Sequence, residues 1–269
     1  MPNALYPPLK PRTFAELLDA VLQIFRLSLP KCLPYATLAI IAGQVWTLYY
    51  VTRGRTPELD TNDPVGVALY GVGTLIFIML SLTILMRQAT IAAGRPVSGR
   101  ADLLDTLKRA PAIVAIALLG AVAVTALMLP ALALAPRYRT AGLIVMLAPA
   151  TYIMIAVSFA LPALVLARKG VLASIAYSFR LVRGNWWRVA GLYGVGLGVV
   201  LTLWLLVAAV IAMALSDNST DDAAIARAIS SAAVLAVFAV GLTFYSALTL
   251  ALFGDLEVRR LATPPVPRI

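Results

Sequence analysis

The sequence predicts an all-α protein, a polytopic helical bundle that crosses a membrane about six times and carries amphipathic helices on one side. Of its 269 residues, 61% are apolar and 13% are charged, against ~45–50% and ~25% in a typical soluble domain. About 20 uncharged residues are needed to cross the hydrocarbon core. Six such stretches occur, at residues 33–51, 65–86, 112–135, 141–167, 189–215 and 228–253. We expect residues 1–269 to form a single integral membrane domain.

The distribution of basic residues between these stretches predicts the orientation. Seventeen of the 22 lysines and arginines fall in segments on the side that holds both termini. The positive-inside rule assigns that side to the cytoplasm. The first residues do not have the pattern of a signal peptide. We therefore expect a multi-pass membrane protein with both termini cytoplasmic.

Three amphipathic segments lie on this basic side, and each precedes a pair of spans. The first begins with Thr13 and Glu16, which have the spacing of a capping box. The others cover residues 98–109 and 171–182. Their apolar residues recur with a helical period. The sequence thus predicts a repeated plan of an interfacial helix, a span, a short outer turn and a second span.

Two further patterns concern packing within the spans. Pro130, Pro149 and Pro162 each remove a backbone donor and are expected to kink their helices. A small residue recurs at every fourth position at Ala190, Gly194 and Gly198, which lets a neighbouring backbone approach closely. We interpret this stripe as packing within the molecule, with a contact between two copies as the alternative.

The inventory of reactive side chains argues against an enzyme. The chain has no histidine and one cysteine, Cys32, which removes the usual acid–base group and most metal ligands. Asp255 and Glu257 stand beside two arginines, a pattern of a surface charge cluster and not of a catalytic carboxylate pair. No catalytic residue, metal site or cofactor is expected, and no nucleic-acid partner.

The most distinctive segment, SFRLVRGNWWR, covers residues 178–188. Tryptophan rings favour the headgroup level of a bilayer, and guanidinium groups bind phosphate through paired hydrogen bonds. The segment is therefore a candidate contact for anionic-lipid headgroups, with a simple topology anchor as the alternative. The candidate residues are Arg180, Arg183, Trp186, Trp187 and Arg188.

The stretch ALVLARKGVLASIAYSFRLVRGNWWRVAGLY, residues 163–193, carries a family resemblance. It resembles a bacterial integral membrane family named for the membrane domain of some glycerophosphoryl diester phosphodiesterases. The opening PRTFAELLDAVLQIFR and the closing ALTLALFGDLEVRR are similar to the ends of that family. The resemblance implies a membrane module without the catalytic domain, and no catalytic residue carries over.

Three functions remain open from the sequence, and an integral lipid-modifying enzyme is the third in order of support. The first is a non-enzymatic membrane protein that engages anionic lipids, a protein partner or a second copy through a basic cytoplasmic collar. The second is a channel or passive transporter for a small solute. Coupled transport is disfavoured, because no span holds a charged side chain. Polar residues converging at the bundle centre would favour the transporter, and a sealed apolar centre would favour the first reading.

Overall fold

A computed structural model describes residues 5–56, 58, 60–96, 98–134, 136–216 and 223–262 of the protein. This part of the chain forms nine α-helices and contains no strand, which confirms the predicted all-α class. The helices are α1 Phe14–Thr52, α2 Pro64–Ala92, α3 Gly99–Lys108, α4 Ala110–Leu132, α5 Pro136–Val157, α6 Ala160–Val165, α7 Val171–Val182, α8 Trp186–Ser216 and α9 Ala223–Ala262.

Six helical segments in the described ranges are long and apolar enough to cross a membrane. They are Phe14–Thr52, Pro64–Ala92, Ala110–Pro130, Thr140–Val165, Trp186–Met213 and Ala232–Ala262. The predicted multi-pass architecture is therefore confirmed. The two chain ends, residues 1–4 and 263–269, and Ala135 of the predicted third span lie outside the described residues.

Helix α9 is the most buried span. Fifty-six per cent of its most apolar stretch is buried inside the protein, against 6% for α8. Leu248 and Phe253 of α9 pack in one core with Leu17 of α1. Gln88 of α2 donates hydrogen bonds to the Thr243 carbonyl (2.9 Å) and to Ser28 Oγ (3.2 Å). Because a buried amide needs such partners, this contact fixes α1, α2 and α9 against one another.

Helix α1 differs from the prediction of a separate interfacial helix followed by a span. It is one continuous helix of 39 residues that includes Pro30 and Pro34, and at 1.5 Å per residue it is about 58 Å long. Thr13 and Glu16 do form the predicted capping box. The first turns bury Leu17 completely in the bundle core. That packing continues the helix past the point where an interfacial segment would have ended.

The predicted fourth span is broken in two, between α5 and α6. The residue that would donate to the Ser158 carbonyl in a continuous helix is Pro162, which has no N–H. A side chain of α7 pairs with two backbone groups at the break. Ser178 Oγ donates to the Ala156 carbonyl (2.7 Å) and accepts from the Phe159 N–H (3.1 Å). Pro130 and Pro149 lie within α4 and α5 without ending them.

The interpretation of the small-residue stripe on α8 as internal packing is wrong. Gly194 and Gly198 are exposed, and a Cβ at either position would meet no neighbouring atom. The close approach to α9 is made instead by Gly196, whose missing Cβ leaves space for Leu248. Gly196 lies on the opposite side of α8 because two residues turn a helix by about 200°.

Candidate anionic-lipid site at the basic end

The candidate segment joins α7 to α8 through a tight turn. Helix α7 ends at Val182, Asn185 N–H donates to the Val182 carbonyl (2.9 Å), and α8 starts at Trp186. Gly184 has φ +84°, a left-handed conformation that costs glycine little. Because of this turn, Arg183 and Arg188, which lie before and after Gly184, have different surroundings. We call this end of the bundle, which carries Arg12, Arg188 and Asp255, the basic end.

Arg188 is bound to a buried carboxylate. Its guanidinium lies 3.2 Å from Asp255 Oδ2, and Arg259 lies 2.9 Å from the same oxygen. The Arg12 N–H donates to Asp255 Oδ1 (2.7 Å). Both guanidiniums also donate to the Arg12 carbonyl, at 2.7 Å from Arg188 and 2.6 Å from Arg259. We call Asp255, Arg188, Arg259 and the Arg12 backbone the Asp255 clamp.

The clamp corrects two sequence predictions. Asp255 was expected in a surface charge cluster, but its side chain is 0% exposed. Arg188 was expected to contact lipid headgroups, but its hydrogen bonds are directed to Asp255 and Arg12. A buried carboxylate requires such compensation, because an unpaired buried charge is very costly. Arg188 is therefore a structural residue that joins α8, α9 and the N-terminal segment.

Arg180 and Arg183 keep the exposed position that the sequence predicted. They line an open groove of about 810 Å³ together with Arg259 and Arg260 from the end of α9. The remaining lining residues are Pro11, Leu181, Asn185, Leu256, Leu261 and Ala262. None of these ten side chains is acidic. We call the four arginines and the space between them the arginine groove.

The groove arginines differ in their attachments. Within the described residues, neither Arg180 nor Arg183 forms a salt bridge. Arg260 lies over the ring of Tyr177, 4.8 Å from its centroid. The Tyr177 hydroxyl donates to Glu257 (2.7 Å), and burial, with the Glu257 carboxylate, raises the pKa of Tyr177 to about 12. The phenol therefore stays protonated at neutral pH and can donate to Glu257.

The two tryptophans have different surroundings. Trp186 is half-buried and stacks on Tyr152, with centroids 5.7 Å apart. Trp187 is 82% exposed and meets Trp186 edge to face at 4.7 Å. Trp186 therefore attaches the start of α8 to α5, and Trp187 is presented outward beside the turn that carries Arg183.

Sequence reasoning missed the contribution of Arg259 and Arg260 to this site. A signal for one of them was available, since Asp255 and Arg259 are four residues apart on a helix and such pairs attract. The meeting of α7 with the end of α9 depends on tertiary packing, which the sequence pattern does not specify.

Polar side chains at membrane depth also converge more than the sequence suggested. Ser81, Ser158, Thr243 and Thr249 donate to carbonyls of their own helices, as expected for scattered hydroxyls. Six hydroxyl groups nevertheless border one cavity of about 380 Å³ between α2, α5, α6, α8 and α9. They belong to Ser81, Ser158, Tyr193, Tyr245, Ser246 and Thr249.

The part of the chain that the structure describes contains no group of three or more Cys, Asp or Glu side chains placed to hold a metal ion. Cys32 is buried and is not disulfide-bonded. No protein-family model matches the chain, and neither a curated protein nor a solved structure is significantly similar to it. The resemblance to the phosphodiesterase membrane domain therefore stays a prediction.

Proposed function

We propose that this protein is a non-enzymatic protein of the bacterial inner membrane that binds anionic-lipid headgroups in the arginine groove. The observation that carries the proposal is a groove lined by four arginines, of which Arg259 also binds Asp255, with no acidic side chain among its described lining residues. Basic groups close to an anionic leaflet gain roughly 1 kcal/mol each. Guanidiniums also match the geometry of a phosphate.

The position of the groove relative to the bilayer supports a lipid over a soluble anion. Trp187 projects outward at the start of a membrane-spanning helix, where an indole ring favours the headgroup level. Leu261 is 85% exposed beside the groove arginines, so an apolar group adjoins the cationic one. A glycerophospholipid offers both a phosphate and an acyl chain to such a surface.

The orientation belongs to the same proposal. The excess of lysine and arginine at the basic end would place this end in the cytoplasm, where anionic headgroups face the groove. Alkaline-phosphatase fusions at Thr56 and Tyr138 should be active, and fusions at Gly94 and Gly170 inactive. An active fusion at Gly170 would contradict this orientation.

The binding experiment uses mass spectrometry of lipids that co-purify with the full chain in a mild detergent. Wild-type protein should retain cardiolipin or phosphatidylglycerol, and Arg180→Gln/Arg183→Gln should retain several-fold less. The matched control is Arg95→Gln/Arg100→Gln, since both arginines are exposed near the α2–α3 connection and outside the groove. Equal retention by the two variants would reject the groove as the lipid site, and a co-purifying protein lost only from the groove variant would identify a protein partner instead.

Passive transport of a small solute is the second candidate, and the cavity with six hydroxyl groups is the observation that favours it. Its remaining lining residues are apolar and none is charged, which does not provide a hydrated path. Proteoliposomes holding the protein should swell in glycerol no faster than empty vesicles if lipid binding is the function. Faster swelling would support the transporter.

A further inference from the structure

The cavity bordered by Ser81, Ser158, Tyr193, Tyr245, Ser246 and Thr249, here called the hydroxyl cavity, lies within the spans and apart from the arginine groove. Its volume is about 380 Å³, inside the ~300–1,000 Å³ range of small-molecule sites. The hydroxyls come from α2, α8 and α9 and from the break between α5 and α6, and apolar side chains such as Leu85 and Leu242 complete the wall. None of its lining residues in the described part of the chain is a lysine, arginine, aspartate or glutamate.

The break between α5 and α6 forms one wall of the hydroxyl cavity. Ser158 and Pro162, which bracket the interruption, both line it. Non-helical backbone at membrane depth is tolerated only where protein buries it or where it borders a polar cavity. Ser178 satisfies the Ala156 carbonyl and the Phe159 N–H behind the break. Pro162 cannot donate to the Ser158 carbonyl as a residue of a continuous helix would.

Ser246 on the opposite wall is a hydrogen-bonding group without a partner. Its side chain is 7% exposed, it lines the hydroxyl cavity, and its Oγ has no hydrogen-bond partner. A buried hydroxyl left unpaired costs roughly 1–3 kcal/mol. Beside it, Tyr193 stacks on Tyr245 at 5.2 Å and on Phe159 at 6.0 Å. The arrangement is a rigid aromatic face next to an unused donor and acceptor.

A second cavity of about 440 Å³ adjoins the first and supplies space for an apolar chain. Met154, Ser158 and Leu161 line both cavities. The rest of the second cavity is formed mainly by aliphatic side chains of α2 and α4, including Ile78, Ile116 and Val124. We call it the apolar cleft. A mainly apolar cavity that carries an unpartnered hydroxyl, beside an aliphatic cleft, fits a molecule with one polar end.

We propose that the hydroxyl cavity binds the polar end of an uncharged single-chain amphiphile, such as a long-chain alcohol, whose chain lies in the apolar cleft. Hydroxyl groups donate and accept, so the unpartnered Ser246 hydroxyl can pair with a ligand hydroxyl. A charged headgroup is excluded because the cavity offers no counter-charge for a buried ion. This site uses other residues than the arginine groove and takes a neutral ligand instead of an anionic one.

The test is photolabelling of the full chain in phosphatidylcholine nanodiscs with a long-chain primary alcohol that carries a diazirine in its chain. Labelled residues are located by mass spectrometry. Labelling should concentrate on the cavity-lining parts of α5, α6 and α9, saturate with dose, and be displaced by unlabelled alcohol. The diazirine alkane of the same length, which lacks the hydroxyl, should label the lipid-facing surface without saturation.

Variants of Ser246 separate binding from general lipid exposure. Ser246→Leu fills the space and removes the hydroxyl, and should lower cavity labelling tenfold or more. Ser246→Ala removes the hydrogen bond to the ligand hydroxyl. It should raise the half-saturating dose of the alcohol by roughly three- to tenfold. The matched control is Thr202→Leu, the same kind of change on the exposed side of α8, which should label as wild type does. Thermal unfolding checks that each variant is folded. If Ser246→Leu does not fold, the labelling of Ser246→Ala tests the proposal.

Three results would overturn the proposal. The first is labelling that does not saturate, and the second is labelling of Ser246→Ala and Ser246→Leu equal to that of wild type. The third is faster swelling in glycerol without saturable labelling, an outcome that would assign the cavity to a solute. Arg180→Gln/Arg183→Gln should keep full labelling. The failure of the cavity proposal is thus distinct from a failure of the groove proposal.

Discussion

Arg180 and Arg183 at the basic end have different surroundings from Arg188, although Arg183 and Arg188 are only five positions apart, and Arg259 lines the groove while also binding Asp255. Arg188 is bound to the buried Asp255, and Arg183 lines an open groove without a salt bridge in the described structure. The turn at Gly184 separates the two. A cluster of basic residues at a membrane surface is therefore not one functional unit, because the buried carboxylates decide which cations remain available.

The largest expected difference between the two groups is in stability. Arg188→Gln should lower the free energy of unfolding by about 2–4 kcal/mol, because it removes a guanidinium from a fully buried carboxylate. Arg183→Gln should change it by less than about 0.5 kcal/mol, as for most exposed substitutions. The measurement is denaturant unfolding in a neutral detergent. Equal losses would remove the distinction between clamp and groove.

A double-variant cycle sharpens the assignment of Arg188. If the loss comes from an uncompensated carboxylate, Arg188→Gln/Asp255→Asn should be less destabilised than the sum of the two single changes by about 1 kcal/mol or more. Additive losses would show that Arg188 acts through packing and not through Asp255.

The tryptophans repeat the comparison on a smaller scale. Trp186→Ala should lower the free energy of unfolding by about 1 kcal/mol, because the stacking contact with Tyr152 is lost. Trp187→Ala should leave it unchanged within about 0.5 kcal/mol. Trp187→Ala should instead reduce the stabilisation by added anionic lipid. A large loss of stability from Trp187→Ala in lipid-free detergent would show that this ring packs within the protein.

Salt gives the smallest effect and needs no variant. Exposed charges are screened over ~10 Å at 0.1 M salt, and buried pairs much less. Raising the salt concentration should therefore reduce the stabilisation by anionic lipid while leaving the lipid-free melting temperature nearly unchanged. A melting temperature that falls with salt in the absence of lipid would place the clamp in contact with solvent.

The sequence predicted what depends on local pattern. The six spans follow from uncharged stretches, the cap at Thr13 follows from its spacing to Glu16, and helix α7 follows from its periodicity. The clamp could not be predicted, because Arg188 and Asp255 are 67 residues apart and only tertiary packing joins them. The α5–α6 break was partly visible in Pro162. The break is also stabilised by the hydrogen bonds of Ser178 to the Ala156 carbonyl and the Phe159 N–H. The sequence pattern does not predict that contact.

The central claim is that Arg180 and Arg183 of the groove bind anionic lipid and that Arg188 of the clamp does not. Its most direct test is the rise in melting temperature on adding cardiolipin instead of phosphatidylcholine, because a ligand that binds the folded state stabilises it. Arg180→Gln/Arg183→Gln should have the wild-type melting temperature without cardiolipin and should lose most of the rise. Arg188→Gln should have a lower melting temperature without cardiolipin and should keep the full rise. A full rise in the groove variant, or its loss only in Arg188→Gln, would contradict the account.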